Sequence, residues 1–195
     1  ELIRPVPLNA SPGGRYRFGF EVALGRGEVT DYDVCQLKAG WYHDVIFRTT
    51  FTAPCGMEYV QTIEVPHGSM PSTTTLGAAI DANLGSLWLI GNEPDCIYQD
   101  NVTPADYARV YHDLYQFIKV RDENAQVAIG GIVQPTPLRL QYLDMILDTY
   151  QGLYTETMPV DVWNIHNMIL NEEKGQWGCD IPPGLTATVG GRRAV

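Results

Sequence analysis

The sequence is poor in positive charge. Lys and Arg number 13 against 23 Asp and Glu, a net charge of −10 over 195 residues. A surface this acidic repels phosphate backbones, so no nucleic-acid partner is expected; a neutral partner fits. No apolar run approaches the roughly 20 residues a bilayer span needs, so no membrane segment is expected. Histidines are few, and His43, His67, His112 and His166 form no H-x-x-x-H or H-x-H unit. Cys35, Cys55, Cys96 and Cys179 contain no C-x-x-C pair, which argues against a zinc cluster. No metal and no cofactor are therefore expected. A G-x-S-x-G elbow is absent, and Gly25-Arg26-Gly27 lacks the third glycine of a phosphate-binding loop.

The cysteines leave alternatives open. They can form two disulfides in an oxidising compartment, in pairings the sequence does not give. Buried free thiols are an equal reading for Cys35. The chain starts at Glu1, not Met, so either an export segment has been removed or the numbering begins inside a longer protein. The expected location is extracellular or at the cell surface.

Hydrophobic residues make up 45% and charged residues 18%, enough for one compact domain. Residues 1–15, with Pro5, Pro7, Pro12, Gly13 and Gly14, read as an extended lead-in. Strands are predicted over 16–24, 41–47, 57–65, 87–90, 127–133 and 160–165. A short helix is predicted from Thr30 or Asp31 to Lys38, stopped by Gly40. Another spans 73–83. Thr103-Pro104-Ala105-Asp106 has a capping Thr, Pro at the first helical position and an acid in the first turn, so a helix runs from there to about Arg121. A further helix covers 138–154.

From Leu87 onward strands and helices alternate, which implies parallel strands with helical crossovers. The predicted fold is an α/β, (β/α) TIM barrel over 16–185, with an irregular tail over 186–195. Such barrels usually take about 250 residues, so this one is predicted incomplete, with about six of eight β/α units. Missing units would leave open sheet edges through which copies could self-associate.

The stretch Leu87-Trp88-Leu89-Ile90-Gly91-Asn92-Glu93-Pro94-Asp95 carries the chemistry. A buried strand ends and presents an amide and a carboxylate where barrel active sites are built. Alternation predicts Leu87 and Leu89 below Glu93 inside the barrel, with Trp88 and Ile90 facing the helices. A carboxyl above an apolar floor is partly desolvated, as a general acid requires. Asp95 reads as a cap for the local turn, and the whole Asn-Glu-Pro-Asp segment is also compatible with an ordinary turn.

Asn92-Glu93-Pro94 at a strand end, within Trp88 to Asp95, resembles the glycosyl hydrolase catalytic-core family of the clan A TIM-barrel glycoside hydrolases. Trp41-Tyr42 resembles that family's early aromatic motif. The resemblance implies a retaining hydrolase acting on a β-linked polysaccharide or oligosaccharide. Glu93 would be the catalytic acid/base and Asn92 would hold a sugar hydroxyl. It also implies a nucleophile Glu on a seventh strand.

Other site candidates come from the pattern. In Trp163-Asn164-Ile165-His166-Asn167, Asn164 and His166 face the same way. His166 can bind substrate, orient a carboxylate or bond a neighbouring loop. Trp177 can stack on a sugar ring or plug its loop. Gln134, Trp41, Tyr42 and His43 are candidate walls, although Trp41 also fits a core position. The carboxylates after Glu93 make poor second groups. Asp161 starts its strand, and Glu172, Glu173 and Asp180 lie in loops. The isolated chain is therefore expected to be inactive. The alternative is a non-catalytic carbohydrate-binding or pseudo-enzyme barrel.

Overall fold

The computed structural model describes residues 18–185. The lead-in 1–15, the first two residues of the strand predicted over 16–24, and the tail 186–195 lie outside them. Every strand pairing is parallel. β1 (Gly19–Glu21), β2 (Trp41–His43) and β3 (Glu58–Tyr59) form one sheet; β4 (Gln61–Ile63), β5 (Leu87–Asn92) and β6 (Gln126–Gly131) form another. Only Val60 separates β3 from β4. Its N–H donates to the Tyr42 carbonyl at 2.9 Å, and the Thr62 N–H donates to the Ile46 carbonyl at 3.1 Å. The third predicted strand thus runs through both sheets. Strands follow one another in chain order, and among the described residues they do not close on themselves.

Helices α1 (Thr73–Ala82), α2 (Pro104–Arg121) and α3 (Pro137–Tyr154) follow β4, β5 and β6. The Thr103 hydroxyl accepts the Asp106 N–H at 3.2 Å, as its sequence predicts, while Ser72 caps α1. The apolar faces of all three cover one side of the second sheet. Ile63, Trp88, Ile90, Val127, Leu76, Ile80, Tyr107, Leu114, Tyr142 and Ile146 are buried together there. This burial supplies the main drive for folding.

Four local expectations are corrected. The helix predicted up to Lys38 is two short 3-10 turns, Val29–Asp31 and Val34–Leu37, and Lys38 ends the second with φ 52°. β2 stops at His43, because Val45 has φ 65°, which a strand cannot contain. The Asp44 carboxylate holds that turn, accepting from Arg48 Nε at 2.7 Å and from the Tyr59 hydroxyl. The strand predicted over 160–165 is reduced to two parallel bridges, Val162 to Ala128 and Ile165 to Ile132. Among the described residues it lies at the open edge of the sheet, and Trp163 and Ile165 are 51% and 46% exposed. Finally, Cys35 is no free thiol: Cys35–Cys55 and Cys96–Cys179 are disulfides.

Candidate active site

The helix-side face of the second sheet holds Ile63, Trp88, Ile90, Val127 and Ile129. Alternation puts Thr62, Leu89 and Ala128, paired in register, on the other, inner face. Beyond Ile90 alternation fails. Gly91 has φ +91° and Glu93 has φ +48°. A Cβ on Gly91 would lie 2.9 Å from Asp100 Oδ2 and 3.4 Å from Tyr107 Cε2, so only glycine fits. The Tyr107 hydroxyl donates to the Ile90 carbonyl at 2.6 Å and accepts the Gly130 N–H at 2.7 Å. The left-handed backbone at Gly91, inside β5, and not continuous alternation from Leu89, delivers Glu93.

Glu93 is only 5% exposed, and its Oε1 lies 2.9 Å from His166 Nδ1. The imidazole occupies space that Gly131 leaves free. A Cβ there would meet His166 Nε2 at 2.6 Å and Asn164 Nδ2 at 3.0 Å. Asn164 and His166 therefore share one face. Asn92 is paired in register with Gly131, and its side-chain amide donates to Gln99 Oε1 at 3.3 Å. Glu93, His166, Asn164 and Asn92 thus converge at the carboxyl ends of β5 and β6.

The loop that carries Glu93 is fastened from several sides. The Asp100 carboxylate accepts the N–H of Asn92 at 2.7 Å and of Val65 at 3.1 Å, tying β5 to the end of β4. Burial pushes the Asp100 carboxyl up to about 6, against the opposing effect of those two N–H groups. Asp95 is wholly buried and does more than cap a turn. Its carboxylate accepts Arg139 Nη1 at 2.7 Å and the Val133 N–H at 3.1 Å. Burial holds the Asp95 carboxyl above its ordinary range while Arg139 pulls it back. Arg139, itself 0% exposed, also donates to the Asp95 carbonyl, Glu172 Oε1 and the Asp180 carbonyl. The Cys96–Cys179 disulfide joins the same two loops.

These contacts decide several candidates. Glu172 is engaged by Arg139 and by the Thr136 hydroxyl at 2.6 Å, a structural role. Gln134 is corrected from wall residue to staple. Its amide donates to the Leu170 carbonyl and accepts the Leu170 N–H, leaving little for a ligand. Tyr42 is corrected as well. With Trp41 facing inward, alternation turns Tyr42 outward, where it is 3% exposed and packs with Val29, Val34 and Tyr59. It borders a cavity of 370 Å³ shared with Leu24, Arg48 and Phe51, which Glu93 does not line. Trp41 keeps its inward position, its ring lying over Gly19. Trp177 is 75% exposed and plugs nothing. Asp161 accepts from Lys119 and the Val127 N–H at the start of β6, the end remote from Glu93.

Two carboxylates at strand ends escaped the sequence reading. Glu21 ends β1, and Glu64 follows β4, flanked by Ile63 and Val65, which are themselves fully buried on the helix side. Both Glu21 and Glu64 are exposed. A Glu flanked by apolar residues at a strand end was the available signal. Among the described residues, Glu93 with Cys96 and Cys179 forms a cluster of metal-ligand type. Both sulfurs are committed to the disulfide, so it offers no ligand set.

The fold is of the α/β class with parallel sheets. Solved structures share this arrangement, and three of them are as follows. An endo-β-1,3-glucanase from Pseudomonas viridiflava (GH128, subgroup II) superposes with a TM-score of 0.60 at 17% identity, over 78% of this chain and 61% of the other. A subgroup I enzyme from Amycolatopsis mediterranei, in complex with laminaritriose, gives 0.55 at 20% identity, over 76% and 56%. A curdlan-specific exo-β-1,3-glucanase from Blastomyces gilchristii, in complex with glucose, gives 0.50 at 23% identity, over 66% and 52%. The chain thus spans less than two thirds of the length of each. No protein-family model and no curated protein matches the sequence.

Proposed function

We propose that the chain is part of a retaining glycoside hydrolase barrel over 16–185 that acts on a β-1,3-linked glucan, with Glu93 as general acid/base. The observation that carries this reading is the buried Glu93 carboxyl held 2.9 Å from His166 at the carboxyl end of β5. The substrate class comes from the fold neighbours, which are β-1,3-glucanases, one of them bound to laminaritriose.

In this reading Glu93 gives its proton to the leaving oxygen and later takes one from water. His166 holds the carboxyl in place, Asn92 and Asn164 take sugar hydroxyls, and Trp41 and Trp177 offer ring faces for stacking. Retaining chemistry needs a second carboxyl about 5 to 5.5 Å from the first. Glu172 is committed to Arg139, so it is a poor nucleophile. The resemblance puts that group on a seventh strand, and the 195-residue chain alone is then a poor catalyst. Two disulfides support an oxidising, extracellular setting. The exposed Trp163, Ile165 and Ile169 along the last bridged segment support self-association there.

A second reading, a non-catalytic sugar-binding barrel, is favoured by the same commitment of Glu172. Hydrolysis of laminarin-type oligosaccharides with an added small nucleophile separates the two. An acid/base site turns over when the nucleophile is supplied, and its Glu93→Gln variant does not. A binding module stays inert in both forms.

A further inference from the structure

We propose that His43, backed by Glu21, is a sugar-binding pair facing Glu93 and His166 across the site, a contact that rests on the glucan reading above. β1 and β2 pair Gly19 with Trp41 and Glu21 with His43. Phe20 and Tyr42 pack on the outer side, so Glu21, Trp41 and His43 share the inner face. The Trp41 and His43 rings lie 6.3 Å apart and tilted by 45°. His43 Nε2 stands 3.9 Å from Glu21 Oε2. Its Nδ1 is buried with no hydrogen-bond partner among the described residues.

A buried ring nitrogen without a partner is costly, and such groups cluster where a ligand or water completes them. His43 ends β2 and Glu93 directly follows β5, so both stand at the carboxyl ends of parallel strands, the end where His166 meets Glu93. Burial lowers the His43 value most, against the neighbouring carboxylates Glu21 and Asp44, which raise it. The ring is therefore held neutral near pH 7, with one donor and one acceptor nitrogen. That pairing suits a sugar hydroxyl, which both donates and accepts. Glu21, 51% exposed on its side chain, adds an acceptor for a neighbouring hydroxyl. Two imidazole–carboxylate pairs, His166 with Glu93 and His43 with Glu21, then face one sugar.

The test is nuclear magnetic resonance of the 195-residue protein carrying ¹⁵N-labelled histidine, titrated with laminaritriose. The ring nitrogens of His43 and His166 should both shift. Those of His112, bonded to Tyr150 on the helix layer, should not. His43→Leu should weaken binding about three- to tenfold, the cost of about one hydrogen bond. His43→Gln, which keeps a donor and an acceptor, should recover most of it. Glu21→Gln, at an exposed position that leaves the fold intact, should weaken binding and shift the His43 signals in the free protein. A His166 response with His43 silent overturns this pair and leaves the Glu93 reading standing. Silence at both rings overturns the glucan reading and the pair together.

Discussion

His166 Nδ1 stands 2.9 Å from Glu93 Oε1, although 73 residues separate them. The contact exists because Gly131 has no side chain to fill the space that the imidazole takes. Gly131→Ala should displace the ring, since its Cβ would lie 2.6 Å from His166 Nε2. His166→Leu should leave the buried Glu93 carboxyl short of a partner, at a cost of about 1–3 kcal/mol. His166→Asn, which retains an N–H donor, should cost less. Urea unfolding of the three variants measures both effects, and equal stability of the Leu and Asn forms would contradict this account.

Arg139 is the hub behind the Glu93 loop. Arg139→Met should leave Asp95 buried and unpaired, destabilising the fold by about 3–5 kcal/mol. Adding Asp95→Asn should return part of that loss, because the uncompensated charge is gone. A double variant no more stable than Arg139→Met in chemical denaturation would show that the pair does not act as a unit.

Asp100 gives the fold a pH dependence of definite sign. Its folded value is pushed up to about 6 from an ordinary 3.8. The folded state therefore binds the proton more tightly than the unfolded chain. The resulting stabilisation is full below about 4 and is lost as pH rises through about 6. Asp100→Asn should flatten that slope in unfolding measured from pH 4 to 7. An unchanged slope would assign it to another group.

The two disulfides should differ in value. Cys96 and Cys179 are 83 residues apart, Cys35 and Cys55 only 20. Chain entropy then assigns roughly 4–5 kcal/mol to the first and about 3 kcal/mol to the second. Replacing Cys96 and Cys179 by Ser should also speed hydrogen exchange at the Cys96 amide, which donates to the Glu93 carbonyl at 2.9 Å. Replacing Cys35 and Cys55 should leave that amide unchanged. Equal exchange in both pairs of variants would separate the disulfide from the site.

The elements with strong periodicity were legible in the sequence. The Thr103 cap, the Pro104 start and the spacing of Tyr107, Val110, Tyr111 and Leu114 all agree locally with α2. The position of Glu93 after an apolar strand was legible too, although that strand is fully buried only on its helix side, with Leu87 and Leu89 half-buried; its route was not legible. Gly91 at φ +91° resets the alternation inside β5, and no periodicity encodes that change of face. Tyr42 and Gln134 were misjudged for different reasons. Tyr42 follows from the inward turn of its neighbour Trp41, which a two-sided apolar strand leaves ambiguous. Gln134 is consumed by Leu170, 36 residues away, a partner only the folded chain reveals. Asp95 and Arg139 are 44 residues apart and were hidden for the same reason.

The most direct test of Glu93 as acid/base is azide-dependent cleavage of phenyl β-laminaribioside by the 195-residue protein. Azide attacks the anomeric carbon as the bond to the phenol oxygen breaks, and Glu93 supplies the proton that the departing oxygen takes. The account predicts slow turnover alone, faster turnover with azide, and an α-glycosyl azide as product. Glu93→Gln should reduce the azide-dependent rate by about 10²- to 10⁴-fold. Azide-dependent turnover that survives Glu93→Gln would contradict the assignment, as would brisk azide-independent turnover lost only in Glu64→Gln or Glu21→Gln.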